Sequence, residues 1–209
     1  PAADAPARKP NILFILTDDQ RWDTTDGTHS PSGAFVMTRT HAELADQGIE
    51  LPQAFLTTPL CCPSRASILA GSYAHRTSVY KNSGNNGGAD DFEDAQSIAV
   101  WLQTAGYRTS LMGKYLNGYA GLWDDQTEPP YVPPGWTLWN GMKRVSHFDW
   151  IFIQPDGLGG YGEFEGGSAE GDDGQSAWQS AGRTPEPWIG PDILAVIDEL
   201  GDDADVAGV

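Results

Sequence analysis

The sequence predicts an α/β fold with a mainly parallel central sheet. Three observations carry that expectation. Apolar runs of strand length alternate with segments whose apolar residues recur at helical spacing. The first run, residues 11–17, is continuously apolar from Ile12 to Leu16, as in a parallel strand covered on both faces. It ends in Thr17-Asp18-Asp19-Gln20, polar groups at the carboxyl end of a strand, which is where open α/β sheets bind ligands.

The elements follow in order. Residues 38–47 carry Leu44 and Ala45 in a helical context and stop at Gly48. Residues 49–57 read as a second strand. Residues 63–70 read as a helix, with Pro63 near its first position and Gly71 just past its end. Ile98, Trp101 and Leu102 give residues 97–104 a helical spacing that stops at Gly106. Residues 107–112 form another short strand, delivering Gly113-Lys114. Residues 129–136 hold four prolines and form a stiff extended piece, either a linker or a loop laid over a surface. Residues 157–174 are rich in glycine and acid and read as loop or disorder. Residues 191–200 bring Ile193, Leu194, Ile197 and Leu200 to helical spacing between Pro191 and Gly201.

Composition narrows the function. The chain has 209 residues and a net charge of −17. That length allows one or two domains and a sizeable core, and its 22 aromatics argue for a packed interior. Strong acidity argues against nucleic acid or an anionic membrane as partner, since both need basic patches. No apolar run has the length of a transmembrane helix. The charge is uneven. Residues 1–150 hold 11 basic and 16 acidic residues, whereas residues 151–209 hold Arg183 as their one basic residue against 13 acidic ones. The two cysteines, Cys61 and Cys62, are adjacent, so they form neither a disulfide framework nor a zinc site. On count alone they are two buried small hydrophobes. Residues 1–9 read as an N-terminal linker of an exported protein, because the opening is rich in Ala and Pro.

The chemistry concentrates in residues 59–71, Pro-Leu-Cys-Cys-Pro-Ser-Arg-Ala-Ser-Ile-Leu-Ala-Gly. A cysteine just ahead of a helix meets the positive end of the macrodipole. Arg65 adds a fixed guanidinium suited to oxyanions. Taken alone, this is an electropositive site for a thiol nucleophile or a phosphate binder.

The same residues resemble the signature of the type I sulfatase family, with Cys61, Pro63, Ser64, Arg65, Ile68, Leu69 and Gly71 filling its pattern. Residues 9–20 look like that family's opening strand and acidic pair. Residues 106–115 look like its second signature, departing only at Met112. The variants at Cys61-Cys62 and Gly113–Asn117, with residues 131–136, most resemble the N-acetylglucosamine-6-sulfatase-like branch.

The resemblance implies an alkaline-phosphatase-like sandwich around a mainly parallel sheet, incomplete in this chain. It implies residues 10–150 as the N-terminal part of the catalytic domain, with 151–209 a Gly/acid-rich tail of uncertain fold. It implies oxidation of Cys61 to Cα-formylglycine by a formylglycine-generating enzyme. The hydrated aldehyde would attack the sulfur of a sulfated carbohydrate or aryl sulfate, then collapse to release sulfate. Asp18 and Asp19, with residue 61, would hold Ca²⁺. Arg65 would hold the oxygens of residue 61, and Lys114 would contact the sulfate. Asn82 and Asn117 would contact substrate, Asn117 standing beside Leu116 where many members have histidine. His75 is structural. The family's distal metal ligands and general acid find no match after Trp150, so weak or no turnover is expected of this chain by itself. Two other readings stay open: a phosphate mono- or diester hydrolase of the same superfamily, and a non-catalytic remnant or carbohydrate-binding module. The expected location is secreted, periplasmic or cell-surface.

Overall fold

The structure is a computed structural model that describes residues 9–20, 37–123, 128–145, 150–166 and 195–198. The chain divides into two compact units, one of residues 1–16 with 58–209 and one of residues 17–57.

The larger unit is built on a six-stranded sheet. Its strands are β1 (Ile12–Phe14), β2 (Arg108–Gly113), β3 (Leu138–Arg144), β4 (Trp150–Pro155), β5 (Tyr161–Gly166) and β6 (Ala195–Asp198), in the spatial order β1-β6-β2-β3-β4-β5. β2 and β3 are parallel, with Leu111 opposite Trp139. The other pairings are antiparallel. The described sheet is therefore mixed, not mainly parallel. The physical reason lies in the connections: β3, β4 and β5 follow one another closely enough to meander, while β2 reaches β3 by a long crossover.

Four sequence expectations change. β1 covers three residues and is not buried: Leu13 is 61% exposed, with Ile12, Phe14 and Ile15 also exposed. Among the described residues its apolar run pairs only with β6, at the edge of the described sheet. Residues 49–57 form no strand, and Ile49, Leu51 and Phe55 stand in solvent. Within residues 157–174, Tyr161–Gly166 is a strand, because every residue of β4 from Trp150 to Pro155 finds a partner across the ladder. The boundary expected between residues 150 and 151 thus falls inside β4. Within residues 191–200, the described stretch Ala195–Asp198 is a strand bridging β1 and β2, so ladder pairing overrides the helical spacing there. Residues 167–174, 191–194 and 199–200, and residues 1–8, lie outside the described residues.

Among the described residues, three α-helices belong to this unit. α2 (Cys61–Ala70) buries Cys62, Ala66 and Leu69, an apolar stripe at spacing i, i+4, i+7. Pro63 occupies its third position, and the helix begins two residues earlier than expected. It ends as expected at Gly71, whose φ of 55° is left-handed. The amide of Ser72 reaches Ser67 at 3.1 Å and that of Gly71 reaches Ile68 at 3.3 Å, the paired bonds of a Schellman stop. α3 (Ala74–Thr77) is a single turn. α4 (Ile98–Thr104) follows Ser97 and ends ahead of Gly106, whose φ is 86°. The core joins the stripe of α2 to Ala99, Leu111, Trp139 and Ile153.

The proline-rich piece is a loop laid over the surface, not a linker. Trp136 is buried in the core, and the Tyr131 hydroxyl donates to Asp94 Oδ2 at 2.7 Å. The hydroxyl of Tyr115 donates to the other oxygen, Asp94 Oδ1. Trp139 Nε1 donates to the Tyr119 oxygen at 2.8 Å, and Tyr119 donates onward to the Tyr131 carbonyl at 2.5 Å. Burial pushes the Asp94 pKa above the usual carboxylate value, and its two tyrosine donors offset only part of that rise. A raised carboxyl pKa favours folding while the group is protonated. That contribution is full below the unfolded value of 3.8 and is lost as pH rises through the folded pKa. Asp94→Asn should therefore gain stability relative to the native chain as pH rises from about 4 to about 7. Paired thermal melts across that range check the sign. A difference that is flat, or that falls with pH, would refute it.

In the smaller unit, α1 (Thr38–Thr40) runs directly into a π-helical turn, His41–Ala45. The amide of Asp46 reaches the His41 carbonyl at 2.8 Å, and the Asp46 carboxylate lies 3.3 Å from His41 Nδ1. The helix expected over residues 38–47 is present in this form and stops before Gly48.

Candidate active site around Cys61

The candidate residues fall on three segments of the larger unit and one of the smaller. Cys61 is the first residue of α2 and is half-buried. Its neighbour Cys62 points inward and is fully buried. Only the first cysteine of the pair is open to chemistry at the helix start. Burial raises the Cys62 thiol pKa, while backbone donors at Asn117 and Gly88 pull it back in part. Cys62 is therefore the small buried hydrophobe that composition suggested, and Cys61 is not.

Arg65 lies one turn along α2. It is 2% exposed, and its Nη1 donates to the Lys114 carbonyl at 2.7 Å. A guanidinium that deep must be hydrogen-bonded, and this bond ties α2 to the segment after β2. Lys114 is 7% exposed. Alternation along β2 buries Thr109, Leu111 and Gly113. Gly113, at φ 106°, then turns the chain so that Lys114, Tyr115 and Leu116 are all buried. Tyr115 is anchored by Asp94, so the backbone beside Lys114 is held from both sides.

Asn82 accepts a bond from the Cys62 amide at 2.9 Å. Asn117 lies three residues beyond Lys114, and its carbonyl accepts from the Ala89 amide at 2.7 Å. Its side-chain Oδ1 is buried with no hydrogen-bond partner in the structure. A buried acceptor left without a donor is costly, which makes Asn117 a candidate to meet a donor group. His75 is exposed and stacked on Tyr73, with ring centroids 5.9 Å apart.

Asp18 and Asp19 belong to the smaller unit. Asp18 is half-buried and Asp19 exposed. Asp19 has a φ of 53°, a left-handed conformation that Asp tolerates better than most residues. Their donor chemistry fits a hard divalent cation, which prefers carboxylate oxygens. Thiol sulfur at residue 61 is a soft donor, and an oxygen-bearing form of that residue would be a hard one.

Sequence reasoning missed the buried support around these residues, Asp94 with Tyr115, Tyr119 and Tyr131. The signal was weak: four polar-tipped residues spread over 38 positions, with no shared motif. Among the described residues, no helix is long and apolar enough to cross a membrane.

Comparison with known proteins gives the family. A sulfatase family model matches residues 10–153. The chain is 41% identical over 143 residues to an extracellular sulfatase SULF-1 homolog of Drosophila melanogaster, covering 68% of this chain and 12% of that protein. It is 34% identical over 149 residues to human N-acetylglucosamine-6-sulfatase, covering 69% of this chain and 25% of that protein. An arylsulfatase of Volvox carteri is 33% identical over 152 residues, covering 71% of this chain and 22% of that protein. The chain thus spans a quarter or less of the length of these relatives. With the match running from the first strand through Cys61, Arg65 and Lys114 into β4, the chain belongs to the sulfatase family.

Proposed function

We propose that this chain carries the nucleophile-bearing part of a sulfatase that hydrolyses sulfate monoesters of sugars, glycosaminoglycans among them. The observation that carries the reading is the pairing of α2 with the segment after β2. Cys61 opens the helix, and Arg65 on that helix holds the Lys114 carbonyl. Formylglycine at residue 61, once formed by a formylglycine-generating enzyme and hydrated to its gem-diol, would supply a hydroxyl nucleophile for sulfur. Asp18 and Asp19 would be ligands of a divalent cation, Ca²⁺ as the family resemblance implies, which would offset sulfate charge.

The chain's own residues do the rest. The start of α2 favours negative charge at residue 61. Arg65 orients that turn and, through the Lys114 carbonyl, keeps the lysine beside it. Lys114 offers a point charge to a sulfate oxygen. Asn82 and Asn117 serve the substrate side. Sugar sulfates agree with the N-acetylglucosamine-6-sulfatase name of one relative, and export agrees with the extracellular sulfatase name of another.

The test begins with co-expression of the chain and a formylglycine-generating enzyme. Peptide mass mapping should find an aldehyde at residue 61 that an aminooxy probe labels. The Cys61→Ser variant should go unlabelled. Calcium should bind, and Asp18→Asn with Asp19→Asn should weaken it at least tenfold, since two of the charged ligands are gone. A persistent thiol at residue 61 would sink the reading. Parallel aryl sulfate and aryl phosphate substrates separate it from the phosphatase alternative, and absent calcium affinity would favour a non-catalytic remnant.

A further inference from the structure

We propose that Asn82 is a positioning residue for position 61: its side-chain oxygen stands in for the absent N-cap of α2 and fixes the turn that carries Cys61. The significance for catalysis rests on the reading of Cys61 given above. The geometry does not.

Helices begin with amides that have no partner inside the helix, and a Ser, Thr, Asp or Asn at the N-cap normally accepts from one of them. The N-cap of α2 is Leu60, with extended φ −141° and ψ 140° and no side-chain oxygen. The acceptor comes instead from 20 residues away, where Asn82 Oδ1 takes the Cys62 amide at 2.9 Å.

Asn82 is itself held. It sits on a strap whose ends are tied by the Tyr80 amide to Asn86 at 2.7 Å and the Gly88 amide to Lys81 at 3.1 Å. The Gly87 amide adds a bond to the Asp91 carboxylate at 2.7 Å. The Ala89 amide then reaches the Asn117 carbonyl at 2.7 Å. One strap therefore touches both the start of α2 and the segment just past Lys114. Gly88 stands where these backbones meet. Its φ is 92°, and a side chain there would lie 3.4 Å from the Asn117 carbonyl and 3.5 Å from that of Asn82. A local cap at residue 60 would satisfy the amide equally well. It would not tie the first turn of α2 to the strap, and the Arg65–Lys114 bond would remain as a link one turn further along the helix.

The test uses hydrogen exchange and thiol alkylation on the full chain. Cys62 is fully buried, so its alkylation reports opening of the first turn. Asn82→Ala should speed both Cys62 amide exchange and Cys62 alkylation about tenfold, the loss of a typical cap. The amides of β2 should keep native protection. Asn82→Asp should restore both, because a carboxylate accepts the same bond. Unchanged Cys62 protection in Asn82→Ala would overturn the proposal. So would equal acceleration in β2, or an Asn82→Asp variant that behaves like alanine. If Asn82→Ala does not fold, the aspartate variant decides: native Cys62 protection supports the proposal, and faster opening overturns it. A persistent thiol at residue 61 would sink the sulfatase reading and leave these rates unmoved.

Discussion

Trp139→Ala is expected to remove about 3–5 kcal/mol of stability. That is a large part of the ~5–15 kcal/mol that holds a domain together. Trp139 is fully buried on β3. Its ring meets Tyr115 edge-on at 5.2 Å between centroids, and lies 5.4 Å from Tyr119 and 6.0 Å from Trp136. Truncation would open a cavity among three aromatics. It would also leave the Tyr119 oxygen without the indole donor that now reaches it at 2.8 Å. Gly141, two residues on, has no side chain to fill the space. A Cβ there would come within 2.5 Å of the indole. Trp139→Phe should cost clearly less, since most of the packing survives. Urea unfolding of the three chains checks the order. A loss below about 1 kcal/mol for the alanine variant would mean that the site collapses freely or was never packed.

Gly135→Ala is the second large effect, for a different reason. Gly135 has a φ of 89°, and an added Cβ would meet the Val100 amide nitrogen at 2.4 Å and the Ala99 carbonyl carbon at 2.6 Å. Those are backbone atoms of α4, which cannot rotate away. The left-handed conformation costs a non-glycine residue about 1–3 kcal/mol. The overpacking adds about 1–3 kcal/mol. The expected loss is thus on the order of 3 kcal/mol. Gly135 also offers its carbonyl to the buried Thr109 hydroxyl on β2, so a displaced loop would disturb the strand that delivers Lys114. Gly121→Ala is the control. Gly121 has no neighbour within 4 Å of its added Cβ, and its variant should stay within about 0.5 kcal/mol of the native chain. Equal melting temperatures for Gly135→Ala and Gly121→Ala would refute the close approach.

Much of the candidate site was legible because its signals are local. The helix of residues 63–70 was marked by Pro63, by an apolar stripe and by Gly71, and only its start was misplaced. The expectation put Pro63 at the first position, but α2 opens at Cys61 with Pro63 still inside the first turn, where a missing amide proton costs nothing. The short strand expected over residues 107–112 is present as β2 and delivers Gly113-Lys114. The strand expected over residues 49–57 failed because an apolar stretch becomes a strand only when a ladder partner is available, and none of the described strands pairs with it. Residues 161–166 failed in the opposite direction. Their glycines and acids look like loop, yet β4 beside them offers a full row of partners.

The sequence by itself determined the motif chemistry: which cysteine, arginine and lysine lie near which glycine turns, and that the opening strand ends in two carboxylates. It also determined the family, since ordered motifs survive in one dimension. Only the tertiary structure decided how those groups are held. The motif singles out Cys61, and the structure adds that its neighbour Cys62 is fully buried. Arg65 and Lys114 are joined by a side chain reaching a backbone carbonyl 49 residues away. Asn82 caps a helix that begins 21 residues before it. Such bonds depend on where backbones meet in space, and a backbone carbonyl or amide carries no letter in the sequence to announce it.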